Sequence, residues 1–194
     1  MKHLDDQMIK WGSRLRDDLN LDINCSRSLA TTISREVSEL PVDVRGKLLI
    51  STPVPQQARL DELVAFQRFT EIVNSASGPV FVRANVSAQL YYCFVYLGDA
   101  CFRILRKLAP KESALRKCCY FLTNNPVRAL RNAVAHGNWC YRSDFTGITF
   151  WARKGDATDE PIVEWTVEQL DFDFWCALAK CTAYAVYEQL RADI

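Results

Sequence analysis

Histidine is the scarcest chemically versatile side chain here: the 194 residues hold two, His3 and His136. So few exclude a metal centre built on several imidazoles, and they leave little choice of proton carrier near neutral pH. His3 lies at an N-terminus expected to fray, which leaves His136. Eight cysteines, at 25, 93, 101, 118, 119, 140, 176 and 181, include no Cys-x-x-Cys, so no zinc site and no metal or other cofactor is expected. Most of these thiols sit in apolar helical patterns and read as small buried hydrophobes. No long apolar run is present either. The longest, between Arg83 and Asp99, is interrupted by Asn85, Ser87, Gln89 and Gly98, too short and too polar to span a bilayer. Residues 1–20 carry charges throughout, so no signal peptide is expected. The chain therefore reads as cytoplasmic, with no membrane partner. Internal repeats and low-complexity tracts are missing too.

What is present is ordinary in bulk and uneven in detail. A hydrophobic share of 49% and a charged share of 24% suit one soluble domain with a real core, or one domain plus an appendage. The net charge of +1 hides an asymmetry. From Arg103 to Arg131 eight basic residues face one acid, Glu112, whereas from Asp156 onward nine acids face Lys180 and Arg191. A basic middle suits a polyanionic ligand; the alternative is a set of solvated helix faces.

Apolar positions recur mostly at helical spacing, which predicts a mainly α protein. Amphipathic helices are expected at 3–19 and 28–40, an irregular connection at 41–58, and a helix at 59–75 burying Leu63, Phe66, Phe69, Thr70 and Val73. Residues 80–108 are apolar around most of their circumference and read as a central bundle helix or a dimer interface, ended by Pro110. A basic helix covers 112–122. The period changes at 140–166, where Ile148–Arg153 and Ile162–Trp165 read as a β-hairpin. Thr166-Val167-Glu168-Gln169 fits a capping box, with Trp165 and Leu170 as a hydrophobic staple, opening a helix at 167–191. The expected units are an N-terminal helical extension at 1–50 and a helical domain at 57–194.

The stretch Arg131-Asn132-Ala133-Val134-Ala135-His136-Gly137-Asn138-Trp139 carries the chemistry. Its helix is expected to run from an Asn125 N-cap and Pro126 at the first helical position to Gly137 past the C-terminus. Val127, Leu130, Ala133 and Val134 form the apolar stripe, and Arg128, Asn132 and His136 follow one another along the polar side. Cutting RNA without a metal needs a base for the 2′-hydroxyl, an acid for the leaving 5′-oxygen and a cation for the phosphorane. His136 suits either proton role, Arg131 presents a planar fork to phosphate, and Asn132 can orient the imidazole or bond a phosphate oxygen. On an ideal helix Arg131 and His136 point about 140° apart, which argues for a dimer that pools two copies. Trp139, Tyr141, Phe150 and Trp151 follow closely, either as stacking platforms or as packed hairpin residues.

At Arg131-Asn132-x-x-x-His136 the chain resembles the HEPN superfamily (higher eukaryotes and prokaryotes nucleotide-binding), and Arg-Asn-Ala-x-Ala-His-Gly-Asn-Trp looks like plasmid- and defence-associated bacterial members. The resemblance covers the helical context of about 57–192 but explains neither residues 1–50 nor the hairpin. It implies an HEPN-like helical bundle, into which the periodicity places a small β-hairpin before the C-terminal helix. It also implies a homodimer and a metal-independent endoribonuclease in a toxin–antitoxin or antiphage setting, with Arg131 and His136 catalytic and Asn132 supporting them. RNA contacts are expected from Arg128, Arg116, Lys117, Asn138 and Tyr141, and the partners from RNA, a second copy and an antitoxin or other protein. The alternatives are a non-catalytic HEPN module that binds RNA, a nucleotide or a protein, and a helical protein–protein module of an immunity system.

Overall fold

The computed structural model describes residues 12–50, 56–75, 79–144, 146–153 and 159–192. The described residues begin with helices α1 (Gly12–Leu19), α2 (Ser26–Ser38), α3 (Val42–Ile50), α4 (Gln56–Ser75) and α5 (Pro79–Leu90). Helix α5 continues through π-helical turns at Tyr91–Tyr96 and Gly98–Phe102 into α6 (Arg103–Leu108). There follow α7 (Ala114–Thr123), α8 (Val127–Ala135), strands β1 (Trp139–Tyr141), β2 (Gly147–Arg153) and β3 (Ile162–Glu168), and the long α9 (Gln169–Ala192). The fold is mainly helical with one small antiparallel sheet in the order β1-β2-β3. Among the described residues no helix is long and apolar enough to cross a membrane.

Helix α9 is the central beam, because its apolar residues surround it: Phe172, Phe174, Trp175, Leu178, Val186 and Leu190 are all buried. It packs along α2, whose buried face is Leu29, Ile33 and Val37, and the Ser34 hydroxyl donates to the Ala185 carbonyl at 3.2 Å. Each such side chain contributes about 1.5–3 kcal/mol of apolar burial. Leu15 of α1 and Leu48 of α3 join the same core cluster, so the N-terminal helices are built into the core that the rest of the chain forms. Residues 1–11 of the expected first helix lie outside the described residues. Cys93, Cys101, Cys118, Cys119 and Cys176 are buried free thiols, as expected for small hydrophobes, while Cys25 and Cys181 are half-buried and Cys140 is exposed.

Four expectations need correction. Part of the connection expected at 41–58 is helix α3: the Pro41 carbonyl accepts from the Val44 and Arg45 N–H groups at 2.9 and 3.0 Å. This proline opens a helix, where its missing N–H costs nothing; residues 51–55 lie outside the described residues. Helix α4 starts at Gln56 and buries Leu63, and Phe66 stacks on Tyr92 at 4.5 Å. The side chains of Phe69, Thr70 and Val73 lie outside the described ones. The second correction concerns 80–108, which is continuous but not uniformly α. The Leu97 N–H reaches the Tyr92 carbonyl and the Arg103 N–H reaches that of Gly98, both i to i+5, the signature of π turns. Third, among the described side chains of this helix Leu90, Cys93, Phe94, Val95, Leu97, Cys101, Phe102 and Leu105 are buried within the chain, while Tyr91 is 56% exposed. These described side chains leave little apolar surface for a second copy to cover.

The last correction is at the sheet. The hairpin is present, and β1 adds a third strand through Trp139 opposite Phe150 and Tyr141 opposite Ile148. Thr166 caps no helix, because it is committed to the ladder opposite Thr149 and β3 runs on to Glu168. Trp165 stacks on Phe150 at 6.2 Å and Leu170 is 74% exposed, so no staple forms. The sheet matters to function because β2 and the first π turn both pack against α8, which carries the motif.

Candidate active site

Helix α8 is amphipathic, with Val127, Ala129, Leu130 and Ala133 buried and Val134 packed partly against the core. Its C-terminus is built as the sequence predicts. Gly137 takes a φ of +71°, its N–H reaches the Val134 carbonyl at 3.2 Å, and the Asn138 N–H reaches that of Ala133 at 2.8 Å. This pair of bonds is a Schellman closure, which favours glycine at the left-handed position. His136 is the capping residue, with φ −107° and ψ 3°, and its N–H is shared between the Asn132 and Ala133 carbonyls, 3.3 Å from each. Its ring is exposed. The left-handed glycine thus fixes the imidazole's backbone at the helix end and leaves its ring to solvent.

The N-terminus of α8 departs from expectation. The helix starts at Val127, Pro126 occupies the capping position without a side-chain bond, and the Asn125–Pro126 peptide is cis. The Arg128 N–H is satisfied by the Asn124 backbone carbonyl at 2.8 Å, so a main-chain acceptor does the work expected of the Asn125 amide.

Arg131 is half-buried and doubly held. Its Nη1 donates to Asn132 Oδ1 at 3.0 Å and its Nη2 to Asp99 Oδ2 at 2.6 Å. Asp99 lies on the second π turn and also accepts from Arg103 Nη1 at 3.1 Å. Partial burial pushes the Asp99 carboxyl up, but the bonds from Arg131 and Arg103 outweigh it and hold it below the usual carboxylate range. Asp99 was not a candidate on sequence grounds, although one signal was there: it is the only acid between Glu71 and Glu112. A lone carboxylate on a long apolar and basic helix needs a cation to sit beside, and Arg131 is one of the two that it finds.

The structure gathers the motif but not all the residues expected to bind RNA around it. Arg128 sits half-buried one turn before Asn132. Asn138 is exposed, and its backbone carbonyl takes the Trp151 N–H at 3.0 Å, tying the end of α8 to β2. Tyr141 is half-buried and edge-on to Trp139 at 5.6 Å. Phe150 is fully buried, and the Trp151 indole donates to Glu164 at 3.1 Å; these two are structural parts of the sheet. Arg116 and Lys117 do not neighbour His136. They line a groove with Asn124 and Asn125, at the opposite end of α8, about 13 Å along the axis for its nine residues.

Chemically, the arrangement offers an exposed imidazole, an amide already bonded to a guanidinium, and a guanidinium whose phosphate-binding edge is partly taken by a carboxylate. Among the described residues no group of three His, Cys, Asp or Glu side chains is placed to hold a metal ion. No protein-family model matches the chain, and neither a curated protein nor a solved structure matches it.

Proposed function

We propose that this protein is a metal-independent endoribonuclease of the HEPN type, acting as a homodimer. The observation that carries the reading is the exposed His136 at the end of α8, with the bonded pair Arg131 and Asn132 one turn before it. In the proposed reaction one imidazole takes the proton of a ribose 2′-hydroxyl, and the freed oxygen attacks the adjacent phosphorus. Arg131 stabilises the charge that builds on the phosphoryl oxygens. The bond to the 5′-oxygen breaks as a second group returns a proton to it, leaving a 2′,3′-cyclic phosphate and a 5′-hydroxyl. Base and acid must be different groups in one turnover, and His136 is the only histidine of the motif. Water reaching the exposed ring serves as the second group, and two α8 helices facing across a two-fold axis would bring the Arg131 of one copy to the phosphate at the His136 of the other.

The test is incubation with RNA in EDTA, comparing the native protein with His136→Ala. Cleavage that persists in EDTA, ends in cyclic phosphate and disappears in the variant is the expected result. Cleavage abolished by EDTA, or retained by the variant, overturns the proposal. Toxin or antiphage action is what the family resemblance implies, and a neighbouring antitoxin or nucleotidyltransferase gene would support it.

The ion pair between Arg131 and Asp99 at 2.6 Å favours a second reading. A guanidinium neutralised in this way suits a non-catalytic HEPN module that binds RNA, a nucleotide or a protein. That reading expects salt-sensitive RNA binding without product, since phosphate contacts release counterions.

A further inference from the structure

The groove at the far end of α8 has the lining of a ligand site in its own right. It is an open groove of about 470 Å³ between the end of α1 and helix α7, and its wall includes Lys111, Arg116, Lys117, Tyr120, Asn124 and Asn125. That volume falls within the range of small-molecule sites. Its lining holds three cations and one carboxylate, Asp18, which Arg14 already engages at 2.7 Å; outside the lining, the exposed Glu112 lies 3.9 Å from Lys117 Nζ.

The cations are partly pre-set. Arg116 Nη1 is anchored on the Ala109 carbonyl at 2.9 Å, and among the described residues its other two nitrogens have no partner, so the planar fork is fixed but unspent. Lys117 Nζ donates to the Asn20 carbonyl at 3.2 Å, which holds the ammonium at the groove wall. Tyr120 is 53% exposed, and the Arg106 guanidinium lies 4.6 Å from its ring centre. A cation on one face of a tyrosine leaves the other for an aromatic ligand. The neighbouring carboxamides of Asn124 and Asn125 are the kind of group that bonds a base edge.

Fixed cations, a half-covered exposed ring and adjacent amides together match a phosphate joined to a purine or pyrimidine. We infer that this groove is a nucleotide-binding subsite, separate from the Arg131–His136 motif, that takes one phosphorylated nucleoside unit. The unit is either a free nucleotide or a link of an RNA strand. In the strand case the inference deepens the endoribonuclease reading by giving the enzyme a second grip on its substrate; the free-nucleotide case stands without that reading.

The experiment measures AMP binding by calorimetry, and binding of a labelled single-stranded oligoribonucleotide by fluorescence anisotropy at low salt. Both use the His136→Ala protein, so the strand stays intact. Lys111→Glu and Tyr120→Ala change exposed side chains, and circular dichroism checks that the fold is kept. Loss of the stacking platform alone is expected to weaken binding roughly tenfold, with further loss for the charge reversal. Tighter binding of AMP identifies a free nucleotide and tighter binding of the oligonucleotide identifies a strand; either supports the groove. Affinities unchanged in the double variant, or no binding of either ligand to the parent protein, overturn it. Failure of RNA cleavage by the native protein leaves this measurement untouched, so the two ideas fail separately.

Discussion

Arg131 Nη2 lies 2.6 Å from Asp99 Oδ2, a contact between residues 32 positions apart in the chain. It joins α8 to the second π turn, between α5 and α6, and places a carboxylate where a substrate phosphate would compete. Two opposite consequences follow. The pair holds the guanidinium in place, and it also masks its charge.

Asp99→Asn separates them, because the amide keeps the shape and one acceptor but loses the charge. If masking dominates, RNA binding at low salt tightens by about fivefold, the equivalent of a solvent-screened contact near 1 kcal/mol. The salt slope should steepen by about 0.7 for a single strand. Stability should fall by less than about 1 kcal/mol, as for other partly exposed pairs. Weaker RNA binding in the variant would show that holding, rather than masking, is what Asp99 does.

The same pair predicts a pH signature. Partial burial raises the Asp99 carboxyl, and its bonds to Arg131 and Arg103 lower it by more, for a net depression. A carboxylate depressed in the folded state stabilises fully above its unfolded pKa, about 3.9, and that contribution fades as pH falls through the folded value. Urea midpoints of the native protein and Asp99→Asn should therefore differ at neutral pH and converge on acidification below about pH 4. A gap that widens in acid would assign the variant's effect to something other than this ion pair.

Two glycines make a contrasting test. At Gly137 an added Cβ meets nothing within 4 Å, but φ is +71°, so Gly137→Ala costs only backbone strain, about 1–2 kcal/mol. At Gly147 the Cβ would stand 2.2 Å from the Val167 carbonyl oxygen, and the strand pair must separate to admit it. Thermal unfolding should rank Gly147→Ala well below Gly137→Ala. Any cleavage activity should suffer more than stability in Gly137→Ala, since His136 is the residue that the turn positions. Equal losses of stability would contradict the backbone clash.

Those glycines show what was legible in the sequence. Gly137 announced the end of α8 because a left-handed residue after an apolar stripe has few other uses. Pro126 misled, since a main-chain carbonyl, that of Asn124, replaced the expected side-chain cap. The π turns could not be read, because whether an N–H reaches four or five residues back is decided by packing rather than by local propensity. Thr166 fitted a capping box as well as a strand, and only its pairing with Thr149 decides between them. Asp99 was missed for the same reason, as its partner lies on another helix. Local punctuation was readable; long-range pairing was not.

Glu36 of α2 provides a cap that no sequence window reveals. Its two carboxylate oxygens accept from the Ala114 and Leu115 N–H groups at 2.9 and 2.7 Å, joining α2 to the start of α7. Glu36→Ala leaves both donors without this partner and should cost about 1–2 kcal/mol, measured by urea denaturation. Glu36→Gln, which keeps one acceptor, should recover part of it. Because α7 carries Arg116, Lys117 and Tyr120, the alanine variant should also weaken nucleotide binding in the groove, with no change in any His136-dependent product chemistry.

The proposed dimer makes the sharpest demand on the motif. Arg131 is anchored toward Asp99, whereas His136 stands exposed at the C-cap, so one α8 does not obviously offer both groups to one phosphate. Two copies facing each other would let Arg131 or Arg128 of one serve the His136 of the other. Arg131→Ala and His136→Ala proteins should then each be inactive as homodimers, yet mixing them should restore cleavage in the heterodimers that carry one intact combination. Random exchange at equal concentration places half the protein in heterodimers, so about a quarter of native activity is the expected ceiling if each two-fold dimer holds two sites. Subunit exchange must be demonstrated separately, by mass-tagged copies, and light scattering must find a dimer. Exchange without restored cleavage would mean that each protomer carries its own Arg131 and His136 to the phosphate, and the composite site would be abandoned.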